Sequence, residues 1–168
     1  MAGQEVFHPT LTKALAGMLF GSWPHQIERL TLESGECPFG YGVISGTEET
    51  GAVLPTTTIT VPQLRGVTRR NANIERDWRS SDDSVYKADY ENAMDVIRKG
   101  PIWVATTSLL VRGGPIFFQH TTNGANPAGT FRNDADTANA IDISAVASVF
   151  RGNNISGEPA VVEFNISG

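Results

Sequence analysis

Three histidines, one cysteine and two acidic clusters are the side chains of this chain best suited to chemistry, and their spacing limits what they can do. His8, His25 and His120 lie far apart, and none stands two or four residues from another metal-binding side chain, so no zinc-type rhythm exists. Asp82-Asp83 and Asn133-Asp134-Ala135-Asp136 have the carboxylate spacing of calcium-loop fragments. The second cluster lacks the Gly at position six and the Glu at position twelve that close an EF-hand loop, which leaves turn-forming carboxylates as the reading. Cys37 is alone, next to Pro38, so it forms no intramolecular disulfide and no cysteine-rich metal site. It reads as a small half-buried side chain rather than a nucleophile. No G-x-S-x-G elbow occurs. Gly40, Gly42 and Gly46 open a glycine-spaced run, but no helix follows whose N-terminus would hold a phosphate, so these glycines relieve strand crowding or mark a bulge. Carboxylate pairs converge only in space, and nothing in the sequence selects one. The residues point to no catalytic group, no cofactor and no metal.

Charge removes further classes. The net charge of −5 disfavours a general nucleic-acid binder, whose non-specific affinity comes from Lys and Arg neutralising phosphates. One basic island, Arg65, Arg69, Arg70, Arg76 and Arg79, is interleaved or followed by Glu75, Asp77, Asp82 and Asp83, as in a solvated mixed-charge loop. No run approaches about 18 uninterrupted apolar residues, which argues against a membrane span. The N-terminus lacks the charged-then-apolar order of a signal peptide, so a reducing, aqueous setting is expected and the Asn154-Ile155-Ser156 and Asn165-Ile166-Ser167 matches to the glycan acceptor pattern are chance.

The elements are short strands. From Gln26 onward, apolar segments of four to seven residues such as QIERLTL, GYGVISG, PIFFQH and AVVEFNI alternate with Gly- and Pro-rich corners, and 17 glycines and nine prolines serve those corners. This is the pattern of an all-β single domain, a β-barrel or sandwich, rather than of βαβ units. Ala160, Val162, Phe164 and Ile166 share one strand face, and Val146, Ser148 and Phe150 alternate before it. Between Asn92 and Ala105 two apolar runs meet at Lys99-Gly100. A turn there would set Val96 opposite Trp103 in a hairpin covered on both faces, with Trp103 buried. Tyr90, Ala93, Met94 and Ile97 also fit helical spacing, but Ile102, Trp103 and Val104 favour strand. Pro101, without an N–H, belongs at a strand's first position or on an edge.

Residues 1–24 read as an extended N-terminal arm, and 25–168 as the β domain. Phe7, Leu15, Met18, Leu19, Phe20 and Trp23 make the arm too apolar for a free tail, while Gly17, Gly21 and Pro24 break it, so these six side chains are expected to bind a neighbouring subunit or partner surface. Asn71 to Asn92 is polar and unpatterned and is expected to be a long exposed loop.

Ala16-Gly17-Met18, the polar strand Ile27 to Leu32, the Pro38-Phe39-Gly40 corner running to Gly46-Thr47, the segment Val96 to Val104 and the closing strand Ala160 to Ile166 occur in this order. In that succession the chain resembles the structural cement, or decoration, proteins of tailed-phage capsids. Pro101, the Asn71 to Asn92 stretch and the Asn123 to Thr137 loop depart from the family pattern. The resemblance implies a binder rather than an enzyme: a homotrimer on the outer capsid surface of the virion, between capsomers, holding the major capsid protein, and made in the host bacterial cytoplasm. It implies no direct contact with nucleic acid or membrane. The competing reading from another class is an all-β carbohydrate-binding module or hydrolase, with a site built from loop carboxylates and from Tyr41, Trp78 and Tyr86.

Overall fold

The computed structural model describes residues 14–71, 85–88 and 93–167, and every described element is a strand or a short turn of 3-10 helix. In chain order the strands are β1 (Gln26–Leu32), β2 (Glu36–Pro38), β3 (Gly42–Ser45), β4 (Gly51–Val53), β5 (Leu64–Thr68), β6 (Val85–Lys87), β7 (Ala93–Val104), β8 (Phe117–Gln119), β9 (Phe131–Arg132), β10 (Ala140–Asp142), β11 (Ala147–Arg151) and β12 (Ala160–Asn165). The main sheet runs β1-β4-β3-β5-β7-β12-β11, and a further β1–β7 pairing closes its first five strands into a barrel. Closure removes the open edges that such short strands would otherwise present. The remaining strands form a β10-β8-β9 sheet and a β2-β6 ribbon.

β7 is the spine of the molecule. Its first half lies between β1, with Val96 opposite Glu28 and Ile97 opposite Ile27, and β5, with Val67 opposite Ile97. Its second half pairs with β12, with Ile102 opposite Val162 and Val104 opposite Ala160. The expected hairpin at Lys99-Gly100 is therefore absent: the two apolar runs form one 12-residue strand. Gly100 is needed for another reason. Its φ is +107°, and a Cβ there would come within 2.8 Å of both His25 Cδ2 and the Pro24 carbonyl oxygen, so the glycine lets another part of the backbone cross the strand closely. The helical alternative also fails, because Ala93, Met94 and Ile97 lie within β7.

Two cores lie along β7: Val96 and Ile97 alternate between them, and a register shift opposite Gln26 and Ile27, where Lys99 and Ile97 pair with β1, then changes which parity faces inward. Met94 and Val96 enter the barrel with Leu30, Leu32, Val43 and Ala52, beneath Phe39 and Tyr86. Ile102 and Val104 enter a second core with Val162, Phe164, Phe118 and Phe131. Trp103 has the opposite parity. It faces outward, half-buried, opposite Val161 rather than Val96, which corrects the expectation of a core tryptophan. In β11 the inward residues are Ala147 and Val149, opposite Phe164 and Val162, whereas Ser148 is exposed and Phe150 half-buried, so the inward face is the alternate of the expected Val146, Ser148 and Phe150 set. Part of the predicted 71–92 loop is strand, since Val85 and Tyr86 of β6 are buried and pair with Pro38 and Cys37.

Candidate functional site

The described residues that precede β1 run along the surface of the domain. Backbone bonds tie them to the free side of β7: Gly17 N donates to Trp103 O at 2.7 Å, Trp103 N to Met18 O at 2.9 Å, and Phe20 N to Pro101 O at 3.2 Å. Arg70 N donates to Gly17 O from the β5 side, and Leu19 forms an antiparallel bridge to Ile102. Residues 17–20 thus extend the chain's own sheet where β1 has ended, contrary to the expectation that the arm is buried only on a neighbour. Pro101 is neither the first residue of its strand nor on an open edge, the two places expected from its missing N–H, but lies inside β7 between Glu163 and the strap. In a strand the N and C=O of one residue point to the same side, so its missing N–H faces the strap, where the carbonyl oxygen is already taken by Phe20 N and by His25 Nε2 at 2.8 Å.

The strap brings four aromatic rings together. Phe20 meets Trp103 edge-on at 6.0 Å between centroids and Phe150 at 5.4 Å, and Trp23 meets Phe150 edge-on at 5.8 Å. These are the separations at which aromatic quadrupoles attract. Two exposed guanidinium groups complete the face, Arg112 at 5.9 Å from the Phe150 centroid and Arg151 at 5.7 Å from that of Trp103. Val161, of outward parity in the same row as Trp103, is wholly buried beneath it.

Of the six arm residues singled out from the sequence, Leu15, Met18 and Trp23 are exposed, the last by 52%. Leu19 and Phe20 are half-buried against their own domain. Phe7 lies outside the described residues. Phe150, Arg112 and Arg151 carry no sequence signal that joins them to the arm, because they come together only through the register of β7, β12 and β11.

The chemistry-bearing residues are used structurally. Asp136 Oδ2 accepts from Gln119 Nε2 at 2.6 Å and pairs with the buried Arg132 at 3.2 Å, while its Oδ1 accepts from Asn123. Arg132 also donates to Asp134 at 2.7 Å, and that hydrogen bond holds the Asp134 carboxyl below its ordinary range. An arginine thus supplies the positive charge in the loop that resembles a calcium site, and this staple ends at Asp136, the first residue of the left-handed stretch Asp136, Thr137 and Ala138, with φ values of 43°, 55° and 68°. Among the described residues no group of three or more His, Cys, Asp or Glu side chains could hold a metal ion. His120 is buried against Thr121 Oγ1, and desolvation lowers its pKa. Burial pushes the Cys37 thiol up to about 12, so it is no nucleophile.

Of the aromatics proposed for a sugar site, the two described ones, Tyr86 and Tyr41, are used in or beside the barrel core. Tyr86 is wholly buried, edge-on to Phe39 at 5.1 Å, and its hydroxyl donates to the Arg69 carbonyl at 2.7 Å; burial raises its pKa. Tyr41 is half-buried beside the barrel core. Trp78, Asp82, Asp83 and His8 lie outside the described residues.

Residues 4–165 match the family described as Structural cement protein (E217 gp24/Pam3 gp6). A chain in the solved capsid of Myoviridae phage XM1 has the same fold, with a TM-score of 0.72 over 98% of both chains at 15% sequence identity. No curated protein matches this sequence.

Proposed function

Because this chain belongs to the phage structural cement protein family, we propose that it seats as a homotrimer on the outside of a tailed-phage head and holds neighbouring major capsid protein subunits together. The observation that carries this reading is the family match, which spans nearly the whole chain. Physical features agree with it. A binder that recognises only the assembled shell stabilises it by mass action, through modest contacts repeated at many equivalent places. Leu15, Met18 and Trp23 offer exposed apolar area on a strap held in place by backbone hydrogen bonds, so little ordering entropy is lost when they are covered. With Phe7, Leu19 and Phe20 they form the proposed contact set. The trimer accounts for apolar surface that one domain leaves open, including Val111 and Ile155 at two adjoining loops. In this reading the chain has no catalytic task, and its place is the virion.

The test is to mix purified protein with heads that lack it and to follow co-sedimentation and the temperature at which heads rupture. Saturable binding with a higher rupture temperature is expected. Heads that sediment without the protein would overturn the reading.

A further inference from the structure

Among the described residues, Arg29, Arg65, Arg69, Arg98 and Arg132 are matched by the chain's own carboxylates. Glu28 takes Arg65 at 2.6 Å and Arg98 at 3.4 Å, Asp95 takes Arg29 and Arg69, and Asp134 and Asp136 take Arg132. Arg112 and Arg151 are different. Both are exposed, each lies over an aromatic ring, and no carboxylate of the described residues pairs with either. A guanidinium over a ring is drawn to it by cation–π attraction while its N–H donors stay free, and such a fork receives a carboxylate in two-point contact. Trp23 and Phe150 beside them supply the aromatic anchor that concentrates binding energy at interfaces.

We infer that the face formed by Phe20, Trp23, Trp103, Phe150, Arg112 and Arg151 docks onto a carboxylate-bearing, partly apolar surface of the capsid protein, the two arginines reading its acidic side chains. This rests on the cement function proposed above and names the chemistry of its partner. A second copy of the chain fits the face less well, since most of the described carboxylates are already engaged. Besides those in ion pairs with arginine, Glu36 meets Lys87, Glu33 accepts the N–H groups of Thr47 and Glu48, and Asp142 accepts that of Ser144. Net repulsion between copies of charge −5 acts in the same direction.

The experiment compares the parent with the doubly substituted R112E/R151E chain in co-sedimentation with heads, in light scattering and in thermal unfolding. Expected is attachment weaker by about tenfold or more, each charge-assisted contact being worth about that factor, with oligomeric state and unfolding temperature unchanged. Parent attachment should also weaken as salt rises. If R112E/R151E fails to fold, R112Q/R151Q and the salt dependence of the parent decide, and attachment indifferent to both overturns the inference. A variant that attaches like the parent overturns it while the cement function stands. A variant that loses self-association instead assigns the face to a second copy, which also overturns it. Failure of the parent itself to attach removes the cement function, and this inference with it.

Discussion

Gly100 and Trp103 show how single residues in β7 divide between folding and display. Gly100 has positive φ, and a Cβ would strike Pro24 and His25, so Gly100→Ala combines backbone strain with a steric clash. A loss of about 2 kcal/mol or more is expected in chemical unfolding. Trp103 lies on the outer face between Phe20 and Arg151. Trp103→Ala should therefore cost less than a fully buried aromatic, about 1 to 3 kcal/mol, while Trp23→Ala, at a ring half open to solvent, should cost under about 1 kcal/mol and weaken attachment instead. Thermal unfolding and head binding of both variants check this, and equal unfolding losses would argue against the division. Glu33 links β1 to the turn between β3 and β4 by accepting the N–H groups of Thr47 and Glu48, and these bonds lower its pKa from an ordinary 4.5. A carboxyl with a depressed folded pKa stabilises fully above its unfolded value and loses that contribution as pH falls through the folded one. Glu33→Gln should accordingly lower the unfolding temperature at neutral pH, and the two proteins should converge as the pH falls from 4.5 through the lowered folded pKa. A difference that persists unchanged in acid would contradict the role of the charge.

At the scale of elements, what was legible follows the physics of alternation. The inward set Ala160, Val162, Phe164 and Ile166 is buried as its period-2 pattern requires, and the all-β class follows from short strands between Gly and Pro corners. Two errors have a common cause. Lys99-Gly100 has turn chemistry, and Gly100 serves instead as a point of close approach for a strap that precedes β1. Trp103 is of a type that cores use, but it stands between the inward-facing Ile102 and Val104 and is therefore turned outward. Neither fact is local: a glycine that relieves a distant contact is identical in sequence to one that makes a turn. The contact face is hidden for the same reason, since Phe20, Trp103 and Phe150 meet only when residues 17–20 and β12 flank β7 on its two sides. The strap makes its own prediction. Deleting residues 1–24 removes the backbone partners of Pro101 and Trp103 and uncovers Phe150, leaving an unpaired sheet edge. The truncated chain should unfold at lower temperature and be prone to aggregation as well as failing to attach, and an unchanged unfolding curve would show that the strap adds nothing to its own domain.

For the whole molecule, two cores share one long strand, and the chemistry-bearing side chains close loops or fill the interior. Arg132 with Asp134 and Asp136 fixes one loop, and Asn153 Oδ1 accepts Leu110 N at 2.6 Å while its amide group bonds Thr106 and Ser108, which fixes another. Such investment in loop rigidity suits a subunit whose task is to hold a fixed shape against a repeated surface. The most direct measurement is a three-dimensional reconstruction, by electron cryomicroscopy, of heads saturated with the protein. Expected is trimeric density on the outer surface, bridging adjacent capsid-protein subunits, with Trp23 and the two arginines at the contact; heads whose outer surface carries no added density would contradict a cement role for this chain.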